Sequence, residues 1–404
     1  MTLLGESWRA WLALFIGVLA ITAHTASSYT LSVLMKPMLE EFEWNRTVFA
    51  SAMTLRMFVM VLAISFAGQL TDRFGARIVL AAGALILGAG TFATASMTAP
   101  AQFYPIMAMM GPGQACIGSV AASALVLRLF RQRRGIAVGI LNGGDNLISS
   151  VIPIAAAFLL VRVGWRTTIG SLGGLYVLLA VLILLVLRSE DGRTGSANGD
   201  KVRSVVARVS MRDLPWRNWR LWAVCLSYAG IYAFITSLQL HFHAFQTDMG
   251  RTPADASSLM STLILVGAVG SPLFGWLAER ASALTALVVV VAGLTIASFV
   301  LWEPHSYAAY SAWAVGYGLV NSGVVAVLAL VLNELFGEEQ IGRLMGVAMM
   351  FCMGSTMIAN VFAASMFDTF GSYFMVWRTY TVVMLITLVS VVWLRWHAAP
   401  ARAH

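Results

Sequence analysis

Residues 68–73 read GQLTDR and residues 275–280 read GWLAER. Both fit G-x-L-x-acid-Arg, and they stand 207 positions apart, about half of a 404-residue chain. A second echo keeps the same offset: RLFRQRRGIAVGI at 128–140 faces ELFGEEQIGRLMGVA at 334–348, with Gly139 and Gly346 again 207 apart. Self-similarity at a fixed offset marks a repeated architecture. What lies between the echoes decides which one.

The chain is 59% hydrophobic and 11% charged, with a mean hydropathy of +0.81. That is far outside the range of soluble domains and makes this a membrane protein. Twelve long runs carry at most one charge each: residues 11–35, 47–67, 78–97, 103–127, 135–160, 167–187, 221–245, 256–277, 283–302, 308–332, 344–366 and 377–394. As helices, runs of about 20 residues cross a hydrocarbon core of about 30 Å. Backbone polar groups must be satisfied internally there, which excludes open strands. Both G-x-L-x-acid-Arg copies follow corresponding runs, the second and the eighth.

The polar, basic stretch at 188–218, RSEDGRTGSANGDKVRSVVARVSMRDLPWRN, divides the runs six and six. It reads as a linker with a short surface helix near 202–211. The expected organisation is a six-helix bundle over 1–187, a linker over 188–220 and a second six-helix bundle over 221–404. With the N-terminus inside, the inner segments carry 19 Lys and Arg and the outer segments 6, with Arg56 completing the 26. The positive-inside rule then puts both termini in the cytoplasm. This asymmetry accounts for the net charge of +8 without a nucleic-acid partner. The first run lacks a strongly basic start and extends past a signal-peptide core, so it reads as an uncleaved helix.

Cys116, Cys225 and Cys352 lie inside apolar runs with no CxxC and no neighbouring ligands, so neither a disulfide framework nor a metal site is expected. No P-loop, ligand cluster or nucleophile motif stands in the loops. The expectation is a protein that is not an enzyme, uses no cofactor and draws on gradients rather than ATP.

GQLTDRFGAR at 68–77 resembles the loop signature of the major facilitator superfamily, G-x-L-x-D-R-x-G-x-R, with Gly68, Leu70, Asp72, Arg73, Gly75 and Arg77 in place. The resemblance implies twelve transmembrane helices in two bundles related as parallel repeats, rocking around a midplane site. It gives Gly68, Asp72 and Arg73, with Glu279 and Arg280 of the second copy, a part in closing the cytoplasmic side. SVLMKPMLEEFEWNR at 32–46, the RLFRQRRGIAVGI loop and LHFHAFQTDMG at 240–250 resemble the monocarboxylate porter and oxalate:formate antiporter branch. That branch carries a carboxylate-binding Arg between two glycines of the eighth run. Here Gly270 and Gly275 are present, but the position holds Ser271.

One charge remains unexplained. Arg56 is alone in TVFASAMTLRMFVMVLAISFAG, nine residues in from Thr47, roughly 13 Å at helical rise. Guanidinium stays protonated, and snorkelling does not bring it to an interface from that depth. It contacts either an anionic substrate or a buried acid. Asp145 is the acid at similar depth, ten residues in from Gly135, roughly 15 Å. In the superfamily arrangement His24 is a partner for it, and a His and Asp pair can exchange a proton near neutral pH; the bland alternative bonds Asp145 to Asn142, Asn146 or backbone. His241 lies near the outer end of its run, as a proton acceptor or a solvated interfacial group. Gln114, Tyr232, Asn321 and Asn360 are midplane polar groups that either contact substrate or hold packing.

Together these readings describe an all-α secondary transporter of a bacterial inner membrane, moving a small organic anion, with a carboxylate favoured, by proton coupling or exchange. Arg56, Gln114, Tyr232, Asn321 and Asn360 would bind substrate, and Asp145, His24 and His241 would respond to protons. Lipid is the expected surroundings, with no obligatory protein partner. The rivals are a proton-driven exporter of hydrophobic or cationic compounds, with Asp145 as the cation's partner, and a transporter-like ligand sensor.

Overall fold

A computed structural model describes residues 2–3, 6–130, 134–187, 216–337 and 341–397. It divides into two compact units, Met1–Asp200 and Lys201–His404. Most of the expected linker, including the surface helix near 202–211, lies outside the described residues, as do 131–133 of the basic loop.

Unit 1 holds α1 (Trp8–Phe42), α2 (Arg46–Phe74), α3 (Ala76–Ala95), α4 (Phe103–Ile117), α5 (Ser119–Leu129), α6 (Arg134–Ser149) and α7 (Ile152–Val186). Unit 2 holds α8 (Trp219–Asp248), α9 (Pro253–Arg280), α10 (Ala283–Val300), α11 (Tyr307–Asn321), α12 (Gly323–Phe336), α13 (Ile341–Phe370) and α14 (Tyr373–His397). A two-residue antiparallel pairing of Thr2–Leu3 with Glu6–Ser7 precedes them. Ten helical segments among the described residues have the length and apolarity to cross a membrane. One of them, Gly139–Val186, has 48 residues and turns at Gly164 (φ 78°, ψ 168°) into two crossings. The pair α4 and α5, interrupted at Gly118, supplies the remaining one. Each of the twelve apolar runs therefore has a helical counterpart.

Polar side chains start these helices where the chain emerges from apolar surroundings. Asn45 accepts from the Val48 N–H at 3.1 Å to begin α2, and Thr252 accepts from the Asp255 N–H at 3.1 Å to begin α9. Such caps satisfy amides that have no intrahelical partner. The acidic, Trp-containing turn after α1 ties that helix to α7: Arg166 donates to Glu41, and through Nη1 to the Ala95 and Met97 carbonyls at 2.9 and 2.6 Å.

The two units repeat each other in packing. In unit 1, α3 lies on α7, α2 on α4 and α1 on α6. Their counterparts in unit 2 are α10 on α14, α9 on α11 and α8 on α13. Backbone turns follow the same register: Gly164 and Gly371, both at positive φ, stand 207 positions apart, as do Glu43 and Gly250. Helices also break at matching places, between α4 and α5 at Gly118 and between α11 and α12 at Ser322.

Glu43 is the one non-glycine residue at positive φ among those described (φ 54°), where its repeat mate Gly250 adopts φ 80° without a Cβ penalty. Glu43→Gly is therefore expected to raise the free energy of unfolding and Gly250→Ala to lower it, each by about 1 kcal/mol. A thermal unfolding scan of the two variants checks both signs.

Candidate functional site

Arg56 is positioned by close helix contact. A Cβ on Gly111 of α4 would stand 2.8 Å from the Arg56 carbonyl oxygen and 2.9 Å from the Met60 nitrogen, so α4 rests on the backbone of α2 at this turn. The Arg56 side chain extends to α1, donating from Nη2 to Ser28 Oγ at 2.8 Å and from Nη1 to Ser27 Oγ at 3.3 Å. It is 4% exposed, and among the described residues no carboxylate touches it. Tyr176 of α7 lies within electrostatic reach and donates its own hydroxyl to the Ala23 carbonyl at 2.9 Å. Two neutral hydroxyls leave the charge uncompensated, and a buried uncompensated charge calls for a counter-ion.

Asp145 stands apart from Arg56. Ser149 Oγ donates to Asp145 Oδ1 at 2.8 Å, and Thr25 Oγ1 lies 3.4 Å from the same oxygen and 2.9 Å from Ser149 Oγ. The expected His24 and Asp145 contact is not formed. His24 instead joins Gln114 reciprocally: its Nδ1 meets the Gln114 carbonyl at 2.9 Å, and Gln114 Nε2 donates to the His24 carbonyl at 3.0 Å. A carbonyl only accepts, so Nδ1 carries the hydrogen. The reason for the correction is helical geometry. His24 and Thr25 are consecutive and project about 100° apart, so α1 turns Thr25 to α6 while His24 closes the last turn of α4.

In unit 2 the expected residues fall into separate environments. His241 is fully buried rather than solvated, with Nδ1 2.9 Å from Tyr373 Oη and Nε2 3.2 Å from the Asn360 carbonyl. The carbonyl fixes the hydrogen on Nε2, so the neutral ring accepts from Tyr373. The Asn360 side chain accepts from Ser237 Oγ at 3.4 Å, and Ser237 also meets Tyr380 Oη at 2.8 Å. Half-buried Tyr232 has its carbonyl engaged by Thr236. Asn321 ends α11, and its buried Oδ1 makes no hydrogen bond among the described residues. Ser271, standing where the resembling branch has its Arg, donates to the Ser322 carbonyl at 2.7 Å and so closes the break after α11.

Of the loop residues, Gly68 has open space around its Cβ position. Arg73 is exposed over the Phe74 ring at 5.2 Å, and Arg280, 207 positions on, is exposed over the Trp276 ring at 4.9 Å. Glu279 is exposed. The Asp72 side chain lies outside the described residues. Gly75 ends α2 at φ 84° with its N–H 3.0 Å from the Thr71 carbonyl, and α3 starts at the next residue.

The sequence profile of the Major Facilitator Superfamily matches residues 17–327 and 242–404. The chain belongs to this superfamily. It is thus a transporter rather than an enzyme, an integral multi-pass membrane protein that handles a small molecule. The nitrite extrusion protein of Bacillus subtilis (strain 168) is 25% identical over 333 residues, covering 81% of this chain and 80% of that one. Monocarboxylate transporter 11 of Mus musculus is 26% identical over 342 residues, covering 80% and 73%. Among solved structures, a bacterial homolog to the human lysosomal transporter Spinster, in an inward-facing and occupied conformation, superposes with a TM-score of 0.75 at 14% identity over 96% of this chain and 95% of that one. That likeness concerns the fold alone.

Sequence reasoning missed Ser27, Ser28, Thr25, Ser149 and Tyr176 as neighbours of the two buried charges. The available signal was the density of hydroxyls in TAHTASSYT at 22–30, within an otherwise apolar run.

Proposed function

We propose that this superfamily member transports a small anion, with Arg56 as the charge that receives it. The observation carrying the proposal is the buried guanidinium held only by Ser27 and Ser28, with no carboxylate on it among the described residues. Three of its five N–H groups have no partner there in these two bonds, and a planar fork of donors suits a carboxylate or an anion of similar shape. Two relatives at 25% and 26% identity carry names that refer to nitrite and to monocarboxylates, both small anions. Gln114 and His24 border the same part of α1 and extend the site. Within unit 2, Tyr232, Asn321 and Asn360 are proposed as substrate-binding groups and His241 as a proton-responsive one, and the loop residues Gly68, Asp72, Arg73, Glu279 and Arg280 as gating groups. Entry of a cation, a proton in the first instance, or exchange for a second anion balances the charge. The Lys and Arg asymmetry supports cytoplasmic termini, and the family resemblance with compact loops supports a bacterial inner membrane.

Ligand binding to the folded state raises its stability, by about 2.7 kcal/mol at a hundredfold excess over Kd. The purified protein is therefore expected to gain thermal stability with nitrite, formate or acetate and not with tetraphenylphosphonium. Stabilisation by the lipophilic cation alone would overturn the reading and make the chain an exporter working through Asp145.

A further inference from the structure

We propose that the end of unit 2 where α8 begins and α14 finishes binds the headgroup of an anionic phospholipid. The Lys and Arg asymmetry assigns this end to the cytoplasmic side. The site lies within unit 2 and does not depend on whether Arg56 receives an anion.

The two helices are held together along one seam. A Cβ on Gly230 of α8 would collide with Thr387 of α14, and about one turn on Ser227 Oγ donates to Ser390 Oγ at 3.4 Å. The seam ends in aromatic contact: the Trp219 ring lies 4.5 Å from that of Trp393, which lies 4.9 Å from the His397 ring. Trp222 donates from Nε1 to the Trp216 carbonyl at 2.8 Å and so folds the chain that precedes α8 onto the same end. The apolar runs of these helices start at 221 and stop at 394, which puts the cluster at the boundary between hydrocarbon and headgroups, where Trp rings settle. Arg217, Arg220 and Arg395 alternate with these aromatics in the chain, and Arg220 lies over the Trp219 ring at 6.0 Å. Arg217 and Arg395 are exposed, and no ion pair or hydrogen bond holds them among the described residues.

Charge, apolar surface and the comparison of the two repeats choose the occupant. Neither 214–247 nor 373–404 contains an Asp or Glu, so both stretches offer only positive charge. Planar guanidinium forks suit a phosphate, and basic groups at this depth draw anionic lipid. A zwitterionic headgroup would bring an ammonium group with no carboxylate in either stretch to receive it. The apolar surface points to a lipid rather than a soluble phosphate. Val382, Ile386, Val389, Trp393 and Trp396, three or four positions apart, form one exposed stripe of α14 that runs to the cluster, with Trp396 78% exposed. An acyl chain has a track there, beneath a headgroup held at Arg395. The repeat supplies a contrast: 207 positions earlier, Val186, Ser189 and Glu190 stand where unit 2 has Trp393, Trp396 and His397. The aromatic floor and the lack of an acid are thus not imposed by the shared architecture.

The test uses the full-length protein in an uncharged detergent at neutral pH, with dioleoylphosphatidylglycerol or dioleoylphosphatidylcholine titrated into the micelles. A saturable rise in the thermal midpoint is expected with the phosphatidylglycerol and not with the phosphatidylcholine, and native mass spectrometry should find the anionic lipid retained. The double variant Arg217→Gln, Arg395→Gln is expected to raise the half-saturating phosphatidylglycerol concentration at least tenfold. Arg378→Gln, which removes the same charge from beside Trp302 at the opposite end of α14, should leave it unchanged. Superimposable curves for the two lipids would overturn the proposal, and so would a wild-type titration in the double variant. An equal rise with soluble glycerol phosphate would overturn it too, by identifying a phosphate site that needs no lipid. If the double variant does not fold, Arg395→Gln alone decides the matter by the same criterion. Chloride is the only small anion present and is held constant, so the result stands whether or not Arg56 receives an anion.

Discussion

Arg56→Gln is expected to weaken small-anion binding at least a hundredfold while making the ligand-free protein more stable, not less. The two signs come from one arrangement. Glutamine can still donate to Ser28 but carries no charge, and a charge-assisted contact to an anion in a buried site is worth several times a neutral one. A hundredfold loss corresponds to about 2.7 kcal/mol. In the absence of ligand the guanidinium is desolvated against two neutral hydroxyls, a cost that removal of the charge relieves by on the order of 2 kcal/mol. Thermal unfolding with and without nitrite or formate reads both quantities. A fall in ligand-free stability with anion affinity unchanged would make Arg56 a structural group. Arg56→Lys keeps the charge but loses the planar fork, and should bind between wild type and glutamine.

Gly111→Leu should prevent α4 from seating on α2 and is expected to leave little folded protein. Even the single methyl of Gly111→Ala meets the Arg56 carbonyl oxygen, the Met60 nitrogen at 2.9 Å and Val59 Cβ at 3.0 Å. Two of these are backbone atoms, which do not swing aside as a long side chain does. Overpacking of this kind costs about 1–3 kcal/mol. Because the obstructed atom belongs to Arg56 itself, the alanine variant should also lose anion affinity, unlike a substitution that only loosens packing. Gly139, whose Cβ position is open, serves as the control, and Gly139→Ala should match wild type in both readouts. An alanine variant at 111 with a wild-type midpoint would refute the backbone contact.

Much of the architecture was legible because hydropathy and loop charge are local signals. The twelve runs could be read off directly, and two echoes 207 positions apart pointed to the repeat. Other members of the register were hidden, since Glu43 and Gly250 share a backbone conformation and no chemistry. The breaks at Gly118 and Ser322 were also invisible, because a run stays apolar whether or not its helix is continuous. Arg56 announced itself as an isolated charge. Its partners did not, because a serine or threonine in a membrane helix commonly bonds its own backbone, and sequence does not say which ones turn outward. The His24 and Asp145 pairing failed for a related reason: knowing that α1 and α6 are adjacent does not say which of two consecutive residues faces the neighbour.

The polar stretch of α1 has Arg56 bonded to Ser27 and Ser28 and Asp145 held at Thr25. With the carboxylate ionised, these two groups carry one positive and one negative charge, and their sum is zero. A membrane potential does work of about 2.3 kcal/mol per elementary charge per 100 mV on any charge carried across it. Moving both groups together therefore costs no electrical work. If Arg56 receives an anion as proposed, voltage acts on the forms in which one of these two groups alone is neutralised, and the order of binding decides which step the membrane potential drives.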